Sequence, residues 1–477
     1  MTNLDIYNTH IEIYPYSKGD LPVIENMYTA QDKFSGNDFP CGYLIDNGKL
    51  YIPRGTSISR LEDLLGVKAK FINDSDPSEE MDNYHSPLYE PRNEIQEESI
   101  KFLEDTQQRY QQLSLNISTG WGKTFCVIYT CVKLHLRALI ITPTDGLKIQ
   151  WMNTYQKMFG FRESELCNIS GSGIIQAILN DQLKPAEAYF VNHQTLHSFL
   201  NQTNGYVFHQ FFKKLNIGVK VYDESHMDFA NILLIDFFSN TDRTWYLTAT
   251  FDRSDKSESK CFKRAFQSVI PYGEEESKKV KRKHVVYHAV NVYSKITAHA
   301  RAQLMSYPGF SSVKYGRYAL FQDKSDTLYQ TILSILKKTK DVEGKTIIFL
   351  PIIEGVDEVV RRLKTDFPEK SVTPYHSKMD KEEKEEGLIK KDIIVSTIKS
   401  CGTGKDIKGL RTVICAEPIA SKVVTEQMIG RLREYAPDKD TYYWDIIDRA
   451  VPPNTWWHRS RMKKIETLVK EIHQFNM

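Results

Sequence analysis

The chain has 477 residues, room for about three domains, and its 41% apolar and 26% charged content is that of a globular protein. No run approaches the ~20 apolar residues of a membrane span, the first residues carry neither a basic start nor an apolar stretch, and the 7 cysteines are scattered without CxxC spacing. That usage argues against a disulfide framework or zinc site and fits a reducing cytoplasm, while a net charge of +2 says little about partners, because basic residues can still line one groove.

Residues 1–71 read as a small separate α/β module. Ile11-Glu12-Ile13-Tyr14 alternates as a strand, residues 42–55 form a hairpin turning at Asn47-Gly48, and residues 59–65 suit a short helix. Tyr43, Lys49, Tyr51 and Arg54 among these strands suit either a surface that grips nucleic acid or ordinary half-buried strands. Residues 72–88, rich in Asp, Glu and Ser, read as a linker.

Pro91–Gln96 opens a helix that runs through Leu103. The Gln96 amide offers the donor and acceptor that read an adenine edge. Alone it is a surface residue; its place upstream of the next stretch makes it a candidate adenine contact. That stretch is a strand, Leu113–Ile117, then Ser118-Thr119-Gly120-Trp121-Gly122-Lys123-Thr124, then an apolar helix from Phe125. Gly120 and Gly122 allow a tight turn whose N–H groups converge on one anion, and the helix N-terminus adds positive potential. Lys123 would reach the β- and γ-phosphates of ATP and the Thr124 hydroxyl would ligand Mg²⁺. The general pattern has glycine where this chain has Ile117. The plain alternative is a strand-to-helix turn with an exposed lysine.

Arg137–Thr142 is an apolar run broken at Pro143-Thr144, and Ala188–Asn192 is a second, followed by Gln194-Thr195. Both suit buried parallel strands, whose far ends are where open α/β sheets bind ligands. Ile217–Tyr222 leads into Asp223-Glu224-Ser225-His226. Two adjacent carboxylates at a strand end suit Mg²⁺–ATP hydrolysis, with Asp223 on the metal shell and Glu224 on the attacking water; a lone Asp-Glu pair is otherwise a solvated loop. Trp245–Thr250 supplies another strand.

In this order the pieces resemble the superfamily 2 helicases and translocases of DExH type. The resemblance implies two tandem RecA-like parallel-sheet domains behind the N-terminal module, over 89–270 and 285–450, joined by a basic junction at 271–284 and followed by an amphipathic helix over 451–477. It implies an ATP site formed by Gln96, Thr119, Gly120, Trp121, Gly122, Lys123 and Thr124, with Gly404 and Asp406 supporting it from the second domain. Nucleic-acid contacts fall at Pro143, Thr144, Gln194, Thr195 and Thr397. Gln427, Arg431 and Arg433 match the motif that delivers an arginine to the γ-phosphate. Many members carry the last arginine three residues after the first; here it comes two after, so Arg433 is favoured with Arg431 close behind.

Within the superfamily, Asp223–His226, Thr248–Thr250 and the N-terminal module look most like the phage branch-migrating DNA helicases of the UvsW and T5 kind. That implies ATP and Mg²⁺ as cofactors, branched DNA (Holliday junctions, forks, displacement loops) as substrate, phage recombination or replication proteins as partners, no membrane, and a host cytoplasmic location. The alternatives are an RNA-remodelling ATPase, a DNA motor subunit of a restriction-type complex, and a non-catalytic binder. Trp456, Trp457, Arg459, Arg461, Lys463 and Lys464 suit helix packing first and a basic DNA-facing edge second.

Overall fold

The computed structural model describes residues 2–16, 22–31, 38–117, 120–248, 256–273, 275, 282–305, 309–401, 407–436 and 438–477. It divides into two compact units, Met1–Ser277 and Lys278–Met477. Among the described residues no helix is long and apolar enough to cross a membrane.

The first unit is built on a seven-stranded parallel sheet in the spatial order Leu166–Ile169, Ala188–Asn192, Ala138–Thr142, Val219–Tyr222, Arg243–Thr248, Gln112–Asn116, Ile270–Tyr272. Successive side chains of one strand enter opposite cores. Ala138 and Ile140 pack with Trp151, Val221 and Trp245 on one face; Leu139 and Ile141 pack with Tyr222 and Tyr246 on the other. Burial on both faces is why these strands read as unbroken apolar runs.

The N-terminal residues form a five-stranded mixed sheet in the order Leu44–Asp46, Lys49–Pro53, His10–Tyr14, Asn3–Ile6, Lys70–Phe71. Contrary to expectation, this is not a separate module. Leu4, Ile11, Ile13 and Ile52 share one core with Phe237, Phe238 and Tyr246, so the small sheet roofs one face of the large one. Thr9 Oγ1 lies 2.9 Å from the carbonyl oxygens of both Asp236 and Ser239. A Cβ at Gly55 would sit 2.3 Å from the Ala265 carbonyl oxygen, so only glycine permits this approach. Beneath the roof, Lys220 and Asp236, both fully buried, pair at 2.6 Å, and Asp236 also accepts from Tyr222 and Tyr246 hydroxyls at 2.7 and 2.6 Å. The residues considered for a nucleic-acid grip are largely engaged within the fold: Tyr51 packs on Phe238 (5.5 Å), Lys49 pairs with Glu12 (2.7 Å) and Arg54 lies over Phe71 (5.8 Å).

Residues 72–88 are likewise not a solvated linker. Glu79 and Asp82 each reach buried Arg137 at 2.6 Å. Asp76 accepts from the Asn240 N–H at 2.6 Å, and Met81 is buried. The acidity that reads as disorder in the sequence neutralises a guanidinium that burial would otherwise penalise.

The second unit has its own seven-stranded parallel sheet, ordered Val372–Tyr375, Ile393–Ser396, Lys345–Phe349, Leu410–Cys415, Thr441–Asp448, Arg282–Val292, Val469–Asn476. The basic junction expected at 271–284 is partly strand: Ile270–Tyr272 closes the first sheet and Arg282 opens the second, while Lys278, Lys279 and Lys281 lie outside the described residues. The C-terminal stretch also differs from the helix expected over 451–477. Pro452–Leu468 is helical, with prolines in its first turn, but Val469–Asn476 is a strand parallel to Arg282–Val292. Val469 and Ile472 continue a helical spacing, yet pairing the open edge of the sheet satisfies a whole row of backbone groups and prevails. Arg461 is buried, its two terminal nitrogens 3.0 Å from Asp445 Oδ2 and from Thr425 Oγ1. Burial would raise the Asp445 carboxyl, but the Arg461 charge and bonds from His458 and Tyr287 outweigh it and hold its pKa at about 2.

Candidate active site

The strand Gln112–Asn116 runs through residue 117 and the glycine turn into the helix Lys123–Lys133. Gly120 and Gly122 have φ of 96° and 92°, a left-handed region that side chains strain to adopt. Gln96 fastens this turn from below. Its Oε1 accepts from the Arg92 N–H at 2.8 Å and its Nε2 donates to the Trp121 carbonyl at 3.0 Å. A Cβ on Gly122 would come within 2.4 Å of that nitrogen. The amide expected to read adenine therefore already holds the loop, with one N–H and one lone pair remaining. Ile117, where the general pattern has glycine, is fully buried, and Gly273 opposite makes room for it: a Cβ there would lie 2.7 Å from Ile117 Cγ1. Lys123 is nearly buried and its Nζ donates to the Ile117 carbonyl at 2.7 Å. Thr124 is half-buried in the first helical turn, and Thr119 lies outside the described residues.

Asp223 ends the strand Val219–Tyr222 and is buried. Its Oδ2 accepts the indole N–H of Trp151 at 2.8 Å and its Oδ1 accepts the Glu224 N–H at 3.0 Å. Burial, then the Glu224 charge, push its pKa up to about 6, against the pull of the Trp151 bond and of Lys123. Glu224 has φ of 49°, a strained value for a glutamate, of the kind found where function fixes a side chain. Its Oε2 lies 3.4 Å from His226 Nδ1, which is 3.0 Å from Thr248 Oγ1. Ala249 and Thr250 lie outside the described residues. The buried Asp223 carboxyl, held above its ordinary pKa, and the Thr124 hydroxyl are hard-oxygen donors that suit Mg²⁺, whose charge would return Asp223 to its ionised form.

The two segments expected to contact nucleic acid emerge at the same carboxyl edge, because Thr142 and Asn192 are register partners. Thr142 Oγ1 donates to Asn192 Oδ1 at 2.9 Å, and Asn192 Nδ2 donates to Asp145 Oδ1 at 2.8 Å. Thr144 is exposed and caps the helix Asp145–Phe159, with Pro143 half-buried before it. Gln194 is exposed and Thr195 half-buried in the first turn of the helix His193–Gln202. His193 is buried, and burial lowers its pKa to about 4 despite Asp228.

In the second unit, Thr397 follows the strand Ile393–Ser396 and its hydroxyl meets Ser400 Oγ at 2.9 Å. Gly404 and Asp406 lie outside the described residues. Gln427 is buried on the helix Lys422–Gly430. The turn after it places Arg431 nearly buried beside Tyr375, whose pKa burial raises to about 12 against the Arg431 charge, and leaves Arg433 exposed. His284 Nε2 lies 2.9 Å from the Leu432 carbonyl oxygen, pinning that turn.

Trp151 is the site residue that sequence reasoning missed. Its place on a helix packed over the sheet marks it as core, and nothing in its spacing reports the partner of its N–H.

Residues 89–253 match the family model described as "Type III restriction enzyme, res subunit", and residues 323–434 match "Helicase conserved C-terminal domain". No curated protein sequence matches the chain significantly. Among solved structures, Mss116p bound to ssRNA and AMP-PNP is 16% identical over 80% of this chain and 74% of that one, with a TM-score of 0.57. S. cerevisiae Dbp5 bound to RNA and ADP BeF3 is 14% identical over 80% of this chain and 89% of that one, with a TM-score of 0.55. T4 UvsW is 16% identical over 99% of each chain, with a TM-score of 0.38. At these identities the likeness to Mss116p and Dbp5 is one of fold, the two tandem RecA-like sheets described above. With the phosphate loop and the Asp-Glu pair inside the first family model and the arginine turn inside the second, the chain belongs to the superfamily 2 helicases, enzymes that couple ATP hydrolysis to the unwinding of nucleic acid.

Proposed function

We propose that this helicase is an ATP-driven DNA translocase that remodels branched DNA: four-way junctions, forks and displacement loops. The observation that carries the motor reading is the shared edge of the first sheet. The phosphate loop, Asp223-Glu224, Pro143-Thr144 and Gln194-Thr195 all leave it, and Asn192 and Asp145 bond two of these segments to each other. Trp151, on the helix that Thr144 caps, bonds Asp223, so one of these segments is also tied to the expected nucleotide side of the edge. The choice of DNA, and of branched DNA, rests on the resemblance of Asp223–His226 and Thr248–Thr250 to the phage branch-migrating enzymes.

In this reading Gly120, Gly122 and the helix N-terminus cradle the phosphates, and Lys123 exchanges the Ile117 carbonyl for a phosphate oxygen. Thr124 and Asp223 would hold Mg²⁺, which would supply positive charge to the phosphates. Glu224 takes the proton of the attacking water, held in its strained rotation with His226 and Thr248 behind it. Arg433, from the second unit, supplies positive charge to the γ-phosphoryl in the transition state. Thr144, Thr195 and Thr397 hold backbone phosphates, which position a strand without reading its sequence.

The test is ATP hydrolysis by the purified chain alone, then with single-stranded DNA, linear duplex, a four-way junction and matched RNA, with junction dissociation followed in parallel. The expected result is strongest stimulation by the junction with ATP-dependent dissociation, both lost in Lys123→Ala. Stimulation chiefly by RNA would reject the DNA reading while keeping the motor.

A further inference from the structure

The helix Pro452–Leu468 divides its basic residues between two faces. His458, Arg461, Ile465 and Leu468 turn inward. Trp456, Arg459 and Lys463, spaced three and then four residues apart, share the outer face, and all three are exposed. Trp456 is 59% exposed, a large apolar ring the core does not use. Beside this stripe, Tyr293 follows the strand Arg282–Val292 and Arg449 follows the strand Thr441–Asp448. Val292 and Asp448 are register partners and the Arg449 N–H donates to the Val292 carbonyl at 2.8 Å, so Tyr293 and Arg449 leave the sheet side by side. Tyr293 is 65% exposed, and Arg449 is steadied by a 2.7 Å bond from its Nε to Asn291 Oδ1. Burial lowers the Arg449 pKa, Tyr293 opposes that, and Arg459 adds to it, which puts both residues in its neighbourhood.

Among the described residues neither Arg459 nor Lys463 has an acidic group within ion-pair distance, whereas the adjacent Lys464 turns back to Glu426 at 2.9 Å. The helix has one acidic residue, Glu466, nearly a turn beyond Lys463. Uncompensated like charges interleaved with exposed rings suit one class of partner well. A nucleic-acid strand with unstacked bases offers a π-face to each ring and a phosphate to each cation, and gains without any sequence preference.

We propose that Tyr293, Arg449, Trp456, Arg459 and Lys463 form a surface that binds an unpaired DNA strand. The proposal rests on the reading of the chain as a DNA motor and adds to it a second contact in unit 2, apart from Thr397. It is tested on the full chain with a labelled oligothymidylate and a labelled oligouridylate, by fluorescence anisotropy over a range of salt. Trp456→Ala is expected to weaken oligothymidylate binding by about five- to a hundredfold. Arg459→Gln with Lys463→Gln is expected to reduce the slope of log affinity against log salt by about 1.4. ATP hydrolysis without nucleic acid should be unchanged in both variants, and their melting curves should match wild type, because the substituted groups are solvent-facing. A wild type that binds the oligomer and variants that bind it equally, with equal slope, would overturn this surface and leave the motor reading standing. A wild type that binds no nucleic acid would overturn both. Tighter binding of oligouridylate, lost in the variants, would overturn the assignment to DNA.

Discussion

The indole N–H of Trp151 donates to Asp223 Oδ2 at 2.8 Å, joining the helix that begins at Asp145 to the carboxylate assigned to Mg²⁺. Both partners are buried, so neither can trade the bond for water. A bond to a charged group contributes about 1.5–3 kcal/mol, and Trp151→Phe keeps an aromatic ring, though a smaller one, while deleting the donor. The expected outcome is a fall in ATPase kcat/KM of about ten- to a hundredfold, with circular dichroism unchanged. Wild-type turnover in this variant would reduce the bond to packing.

Arg431 and Arg433 separate by environment. Arg431 is nearly buried beside Tyr375, and Arg433 faces solvent at the end of the turn. Arg433→Ala is expected to lower kcat by about a thousandfold or more while leaving the melting temperature unchanged. Arg431→Ala is expected to lower the melting temperature of the second unit as well as turnover. ATPase assays and calorimetry on the two variants decide the assignment; full turnover in Arg433→Ala would transfer the finger to Arg431.

The Lys220–Asp236 pair, fully buried, lies where the small N-terminal sheet meets the large one. Asp236→Asn leaves an ammonium in the core without its countercharge, which costs about 3–5 kcal/mol. Replacing both residues together with apolar ones of similar volume is expected to restore much of that loss. Chemical denaturation of the single and double variants measures it, and equal destabilisation by both would show that the tyrosine hydroxyls on Asp236, and not the charge pair, dominate.

Two buried histidines set an acid limit to stability. Burial lowers His193 to about 4, and lowers His288, aided by His473 and Lys338, to about 4 as well, both from an ordinary 6.5. The folded forms are neutral where the unfolded chain is protonated, so the unfolded state binds more protons between these values. Their contribution is therefore complete above pH 6.5 and falls as pH drops toward 4, by at most about 1.4 kcal/mol per pH unit for each. Unfolding followed from pH 7.5 to 4.5 should show this slope, and His288→Gln should flatten it in the second unit.

Much of the site was legible because its chemistry is local. Gly120-Trp121-Gly122-Lys123-Thr124 and Asp223-Glu224 announce a loop and a strand end whatever surrounds them, and the unbroken apolar runs at Ala138–Thr142 and Ala188–Asn192 announce strands covered on both faces. What escaped depends on partners distant in sequence. Acidic residues at 76, 79 and 82 look like a linker until Arg137 and Asn240 are known to lie against them. Val469 and Ile472 keep a helical period, and only the unpaired edge of Arg282–Val292 makes them a strand. The tolerance of Ile117 depends on Gly273, a glycine in another strand's loop.

The roof formed by the first residues has a consequence during synthesis. Leu4, Ile11, Ile13 and Ile52 find their partners in Phe237 and Phe238, and Gly55 finds its seat at Ala265. At about 5–20 residues per second, the ribosome takes roughly 10–40 s to make the intervening chain. Throughout that interval the apolar face of the small sheet is without the partners that cover it, too little of it for a domain to stand alone. The strands of the small sheet are made well before the residues that cover them and are among the last parts of the first unit to be buried, and a fragment ending near residue 71 lacks the Phe237, Phe238 and Ala265 side of its core.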